Sequence, residues 1–167
     1  GESYYNLNMF DDALSSYFML TAGIPSLYSK SVYSQAYCYL KQKQFLDAVN
    51  FFKKSIKFNK EQFILYDIYV RLGDSYFALN NYQSSVDYYN RAMNISGIED
   101  DYAAYKKSNS YVLLGEYSNA IQSLNQLIDH RRLTAEGSAI SDREPILAQK
   151  RVWEAAASPG FPAQHMV

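Results

Sequence analysis

The residues whose chemistry could support catalysis are few and lie far apart. The chain has two histidines, His130 and His165, and one cysteine, Cys38, which stands between two tyrosines. A nucleophilic thiol needs a base beside it, and metal ligands recur at short, characteristic spacings. Neither pattern occurs, nor do phosphate-loop, serine-hydrolase, zinc-protease or CxxC signatures. We therefore predict no enzyme activity, no metal and no cofactor, and interpret Cys38 as a structural thiol.

Composition and charge exclude further classes of protein. The 167 residues carry a net charge of −1, with 20% charged and 48% hydrophobic residues, which favours a soluble folded protein over a disordered one. No basic field is present that would attract nucleic acid, and no apolar run is long enough to insert into a membrane. The most basic run, which contains Lys53 and Lys54, is better interpreted as a solvated helix face than as a site for an acidic partner.

The tyrosines are the remaining residues that could recognise a partner, and there are seventeen of them. Residues 71–93 show how they are organised. Gly73, Tyr76, Tyr82 and Tyr89 follow one another at spacings that fit two amphipathic helices joined at Asn80-Asn81. Small residues in such a hairpin lie where the helix backbones approach closely, and aromatic rings fill the space beside them.

The same order of small and aromatic residues occurs four times. The first small positions are Gly1, Ala36, Gly73 and Ser108, each followed three residues later by a tyrosine at 4, 39, 76 and 111. The second helices open with an aromatic residue at 10, 45, 82 and 117. The second small positions are Ala13, Ala48, Ser85 and Ala120, each followed four residues later by Tyr17, Phe52, Tyr89 and Leu124. The steps between copies are 35, 37 and 35 residues (13→48, 48→85, 85→120).

This pattern resembles the tetratricopeptide repeat (TPR), a helical hairpin of about 34 residues. The resemblance implies an all-α fold, an α-α superhelix (TPR solenoid) of about three and a half helix-turn-helix repeats plus a C-terminal helix. The expected repeats are 1–27, 28–60, 61–97 and 98–130. Because Gly1 falls inside the template, we expect the first repeat to lack its opening turns, and its exposed edge to be covered by another chain or to fray.

The resemblance also implies a binding surface, because the first helix of each TPR commonly lines a concave groove. Transferred to this chain, the groove positions with polar or aromatic side chains are Lys30, Tyr33, Tyr37, Asp67, Arg71, Asp74, Tyr102, Tyr105, Lys106 and Asn109. Tyrosine suits peptide recognition because its rigid ring buries a large area and keeps a polar tip. Several of these tyrosines could instead pack between repeats. The TPR subclass that binds a chaperone's C-terminal carboxylate has lysine and asparagine where this chain has Tyr33, Val70 and Tyr37, so that activity is not implied.

Residues 131–167 differ from the repeats because they contain no tyrosine. The sequence from Ser141 to Pro145 resembles a capping box that opens a helix over 142–157. This tail is either a native capping helix or foreign sequence, and the abrupt change in residue usage favours foreign sequence. The acidic residues 99–101 are interpreted as the first turn of a helix rather than as a metal site.

We therefore predict a non-catalytic scaffold that binds a peptide or partner helix in its concave groove. The alternative is a structural spacer or oligomerisation module with an empty groove, forming a homo-oligomer through its first repeat or its tail. The Tyr-, Asn-, Ser- and Lys-rich repeats resemble bacterial TPR proteins, and the compartment, cytoplasm or periplasm, stays open because one cysteine excludes only an internal disulfide.

Overall fold

The computed structural model describes residues 1–23, 27–95 and 101–134, together with positions 148, 150, 151 and 154. The side chains at 21–23 and 129–134 are not described. The described ranges contain eight helices and no strand: α1 (Glu2–Asn6), α2 (Phe10–Gly23), α3 (Tyr28–Lys41), α4 (Phe45–Ile56), α5 (Gln62–Ala78), α6 (Tyr82–Met93), α7 (Asp101–Leu113) and α8 (Tyr117–Thr134). The predicted all-α class is confirmed.

The helices form four antiparallel hairpins, one for each predicted repeat. The chain divides into two compact units, residues 1–98 and 99–167. The first unit contains the hairpins α1–α2, α3–α4 and α5–α6, and its hairpins also pack on one another through α2 with α3 and α4 with α5. The second unit contains the hairpin α7–α8.

Each hairpin is closed by the same turn, which explains where its first helix ends. One residue adopts a left-handed backbone conformation in every turn: Asn8 (φ 59°), Lys43 (φ 59°), Asn80 (φ 58°) and Gly115 (φ 75°). In each copy the next backbone N–H donates a hydrogen bond of 2.9 Å to the carbonyl of the template tyrosine at 4, 39, 76 or 111. This six-residue closure satisfies carbonyl groups that the helix end would otherwise leave unpaired.

The predicted notches between paired helices are present. A Cβ atom built on Gly73 would lie 2.5 Å from the ring of Tyr89, and one built on Gly1 would overlap the ring of Tyr17. The ring therefore occupies the volume that any larger residue would need. The second small residues, Ala13, Ala48, Ser85 and Ala120, are all completely buried.

The core follows from this arrangement. In the first unit Ala36, Phe52, Ile68 and Leu72 belong to one buried cluster, against which Tyr39 and Tyr76 pack. In the second unit Ala104, Ala120, Leu124 and Leu127 form a cluster that Tyr111 contacts. The template tyrosines thus share one kind of environment, as their spacing predicts, except that Tyr4 is 41% exposed.

At the two ends of the chain, the structure tests fewer of the sequence-based predictions. Helix α1 has five residues and none of them is buried, and the expected covering of this edge by another chain stays a prediction. Helix α8 continues to Thr134, four residues beyond the predicted repeat boundary at 130. Most of the predicted helix 142–157 lies outside the described residues, although positions 148, 150, 151 and 154 are helical.

Candidate functional site

Six of the predicted groove residues lie on α3 and α5, the first helices of two neighbouring hairpins. Tyr33 and Tyr37 are four residues apart on α3, and Asp67 and Arg71 have the same spacing on α5, with Asp74 three residues further. Residues three and four apart share a helix face. Because the faces of α3 and α5 approach each other, these side chains meet.

The carboxylate of Asp67 is the centre of this meeting. The hydroxyls of Tyr33 and Tyr37 both donate to its Oδ2, at 2.6 and 2.5 Å. The Nε of Arg71 donates to its Oδ1 at 3.3 Å and to the Tyr37 hydroxyl oxygen at 3.2 Å. One carboxylate therefore fixes two rings and one guanidinium across the boundary between two repeats.

A second carboxylate extends the network to α6. Arg71 Nη1 donates to Asp74 Oδ2 at 2.9 Å, and the hydroxyl of Tyr89 donates to Asp74 Oδ1 at 2.7 Å. The sequence predicts Tyr89 as a notch filler, which its ring is, but the role of its hydroxyl was missed. We refer to Tyr33, Tyr37, Asp67, Arg71 and Asp74 as the tyrosine–aspartate network.

The protonation states of the network follow from its burial and its charges. Burial and then the Asp67 carboxylate raise the pKa of Tyr37 to about 12, and they raise the pKa of Tyr33 as well. Burial alone would lower the pKa of Arg71, but its contacts with Tyr37, Asp67 and Asp74 raise it. Both phenols are therefore neutral and the guanidinium is charged at neutral pH. With two carboxylates and one guanidinium, the network has a formal charge of −1.

A recess lies beside the network. It has a volume of about 300 Å³ and is lined by Glu2, Tyr5, Tyr17, Tyr33, Ser34 and Tyr37. Tyr5 and Tyr17 were not predicted as site residues, because groove positions were not transferred to the incomplete first repeat and Tyr17 was interpreted as the ring that fills its notch. Lys30, which was predicted, forms an ion pair of 2.7 Å with Glu2 on the surface. Both partners are about two-thirds exposed, so this pair contributes little to stability.

The other four predicted residues lie on α7, in the second unit. Tyr102 is 39% exposed, and the ammonium of Lys106 lies 5.5 Å from the centre of its ring. Tyr105 packs against the core cluster of this unit, so its ring is at least partly structural. Asn109 is half-buried and has interactions of its own. These four residues therefore share one helix, and only some of their surface faces solvent.

The structure adds three findings that bear on chemistry. Within the described residues, no group of three His, Cys, Asp or Glu side chains is arranged to bind a metal. Cys38 is completely buried, and this burial raises the pKa of its thiol to about 11. Along the described part of the chain, no helix combines the length and the hydropathy that crossing a bilayer requires.

Comparison with known proteins places these observations in a family. Tetratricopeptide repeat models match residues 29–62 and 66–97, and a second tetratricopeptide repeat model matches residues 102–131. The comparison with curated proteins found no match. Among solved structures, the chain is similar to the crystal structure of MamA, with a TM-score of 0.69 and 19% identity over 93% of this chain and 95% of that one.

The family models cover more than half of the chain, and the solved structure shares its fold over nearly the whole length. The matched ranges also agree with the hairpins seen here, since each begins at or near the first helix of a pair. Together these findings support a protein-interaction scaffold in general terms. The chain belongs to the tetratricopeptide repeat family.

Proposed function

We propose that the face formed by α3 and α5 binds an extended peptide or a helix of a partner protein. The observation that supports this most is the tyrosine–aspartate network. Five residues chosen from groove positions are joined in one set of hydrogen bonds, and a recess of about 300 Å³ lies beside them. No catalytic step is involved.

The network makes the tyrosines suitable for binding because it fixes them before a partner arrives. Side chains that are already held lose little further rotamer entropy on association. Tyr33 and Tyr37 are held by Asp67 and by each other, with ring centres 5.1 Å apart in an edge-to-face arrangement. A phenol that donates its proton keeps lone pairs that can accept. Tyr33 can therefore accept a hydrogen bond from a peptide N–H, whereas Tyr37 already accepts one from Arg71.

We assign Tyr102, Tyr105, Lys106 and Asn109 to the same function on α7, where they form the corresponding face of the second unit. Lys106 places a positive charge among these residues, whereas the tyrosine–aspartate network is negative. The two faces therefore favour peptides of different charge.

The test is binding of the partner by variants, after a pull-down with the full-length protein has identified it. Tyr37→Ala should weaken binding by about 1–3 kcal/mol, because a fixed aromatic anchor is lost. Phe63→Ala is the matched control, since Phe63 is an aromatic residue of α5 that is 74% exposed and outside the network. Affinity is measured by titration calorimetry and folding by circular dichroism. Equal affinities for the Tyr37 variant and the native chain, with folding intact, would remove Tyr37 from the site.

The alternative function is a structural spacer or oligomerisation module. It is favoured by one observation, namely that the polar groups of the network already satisfy one another across two repeats. Under this alternative, the network joins the two repeats and binds no partner. Size-exclusion chromatography with light scattering separates the possibilities, because a monomer at every concentration argues against oligomerisation.

A further inference from the structure

A second surface of the first unit has the opposite charge. Residues 45–60, which contain α4, carry four lysines and one aspartate, giving a net charge of 4 − 1 = +3 in a chain whose total is −1. From the sequence this run was interpreted as a solvated helix face. The structure shows that two of its lysines are engaged with aromatic rings instead of extending freely into water.

Lys53 is held by a pair of stacked tyrosines. Its ammonium donates to the Tyr76 hydroxyl at 2.6 Å and lies 5.2 Å from the centre of the Tyr76 ring. Tyr76 stacks on Tyr88 with ring centres 5.4 Å apart and planes inclined by 8°. The hydrogen bond to Tyr76 raises the pKa of Lys53, so the ammonium stays charged.

Arg91 lies on the same stack. Its guanidinium carbon is 5.2 Å from the centre of the Tyr88 ring, and the Lys53 ammonium lies 5.9 Å from the centre of the same ring. Lys54 makes the equivalent contact with other rings, 5.3 Å from the centre of Tyr28 and 5.7 Å from that of Phe51. We call Lys53, Lys54, Tyr76, Tyr88 and Arg91 the cationic strip.

None of the three cations of the strip forms an ion pair with a described carboxylate. The acidic residues of their own helices, Asp47 on α4 and Asp87 on α6, form none with them. On α5, Asp67 and Asp74 are committed to the tyrosine–aspartate network. Aromatic rings attract a cation but are neutral, so they position the charge without cancelling it. The strip therefore presents positioned positive charge that forms no ion pair within the described part of the chain.

We propose that the cationic strip is a second docking surface, and that it binds an acidic segment of a partner protein. Charge complementarity supports this occupant, because three positioned cations match carboxylates spaced along a peptide. The half-buried rings between the cations offer apolar contact area to the aliphatic parts of the acidic peptide side chains. Phe58, which is 47% exposed, packs edge-on to Tyr28 and extends this area. The strip shares no residue with the tyrosine–aspartate network.

The test uses two fluorescein-labelled peptides of equal length, one alternating Glu and Leu and one alternating Gln and Leu, titrated by fluorescence anisotropy against the whole chain. The Glu peptide should bind about tenfold more tightly than the Gln peptide, and raising the salt to about 0.5 M should remove most of the difference. Lys53→Gln/Lys54→Gln should reduce binding of the Glu peptide about tenfold, and Arg91→Gln should reduce it further.

The control is Lys41→Gln/Lys43→Gln, which changes the net charge equally at exposed lysines outside the strip. Equal weakening by both double variants would mean general attraction rather than a site, and would overturn the proposal. Equal binding of the two peptides would also overturn it. A single-stranded oligonucleotide that binds more tightly than the Glu peptide, and no longer binds the strip variants, would overturn it as well. Phe63→Ala, at an exposed aromatic residue of α5 outside the strip, should leave binding of the Glu peptide unchanged. Circular dichroism confirms that each variant is folded.

Discussion

Single residues set how closely the helices of this protein approach, and they do so in pairs. In the first and third repeats the residue at the first small position faces the bulky residue sixteen positions later, and the other two repeats have the same spacing. The four pairs are Gly1 with Tyr17, Ala36 with Phe52, Gly73 with Tyr89, and Ser108 with Leu124. Glycine is paired with tyrosine, the largest partner, and serine with leucine, the smallest. The two members therefore share a fixed volume between the helices.

Gly73→Ala tests this reciprocity. The added Cβ meets the ring of Tyr89 at 2.5 Å, and the ring cannot move because it is fully buried and its hydroxyl is bound to Asp74. We expect a loss of about 1–3 kcal/mol in the free energy of unfolding, measured with urea. The variant Gly73→Ala/Tyr89→Leu, which approximates the pair of the fourth repeat, should lose less than the sum of its two single changes. Simple additivity would show that the two residues do not compete for volume.

At the scale of the element, the turn decides where each hairpin closes. Four turns use the left-handed conformation at one position, but only one of them has glycine there. Asparagine tolerates this conformation better than other residues with a side chain, which accounts for Asn8 and Asn80. Lys43 has no such advantage, so the second hairpin closes with local backbone strain.

Replacing Lys43 with glycine should therefore stabilise the protein. Removing the left-handed strain should raise the free energy of unfolding by about 1–2 kcal/mol. The greater freedom of glycine in the unfolded chain reduces this gain by about half. Thermal unfolding measures the effect. Gly115→Ala is the converse control, because an added Cβ meets nothing within 4 Å and the change acts through the backbone alone. Gly115→Ala should lower the free energy of unfolding by about 1 kcal/mol. A less stable Lys43→Gly variant would mean that the lysine side chain contributes more than its backbone costs.

At the scale of the whole molecule, the chain is a protein-interaction scaffold built from one repeated hairpin and rich in tyrosine. The variation between copies gives its surfaces their chemistry. In the first unit, the tyrosine–aspartate network is negative and lies on first helices, whereas the cationic strip is positive and lies mainly on second helices of the same repeats. The net charge of −1 conceals this separation.

The tyrosines also give the fold a dependence on alkaline pH. Tyr33, Tyr37, Tyr5, Tyr17 and Tyr39 all have raised pKa values, in each case first because they are buried. In the unfolded chain they lose their protons near pH 10, which favours unfolding. Their contribution to stability is therefore complete below that pH, and it is lost as the pH rises towards about 12, the value of Tyr37.

We expect the melting temperature to fall between about pH 9 and pH 11, together with a rise in tyrosinate absorbance on unfolding. Tyr37→Phe removes one of the strongly shifted groups, so its melting temperature should depend less steeply on pH. A native melting temperature that stays constant over this range would contradict the assignment.

The sequence by itself determined the helices, the turns, the notches and the family, because these depend on spacing along the chain. A spacing of sixteen residues within one hairpin, repeated in four copies, predicts that Gly73 lies beside Tyr89, and the structure confirms that placement. The resemblance to the repeat family also implied that Tyr33, Tyr37 and Asp67 share a face. Residues 131–167 carry no such period, and most of them lie outside the described structure.

Only the tertiary structure decided what those side chains do. That both tyrosines donate to one oxygen of Asp67, and that Lys53 reaches Tyr76 on the next repeat, depends on how far apart neighbouring hairpins lie and which rotamers their packing allows. A repeat pattern indicates which helix face a residue occupies. It contains neither the distance between neighbouring hairpins nor the rotamers of their side chains. The hydrogen bonds of the network and the fixed charges of the cationic strip therefore became visible only when the repeats were stacked.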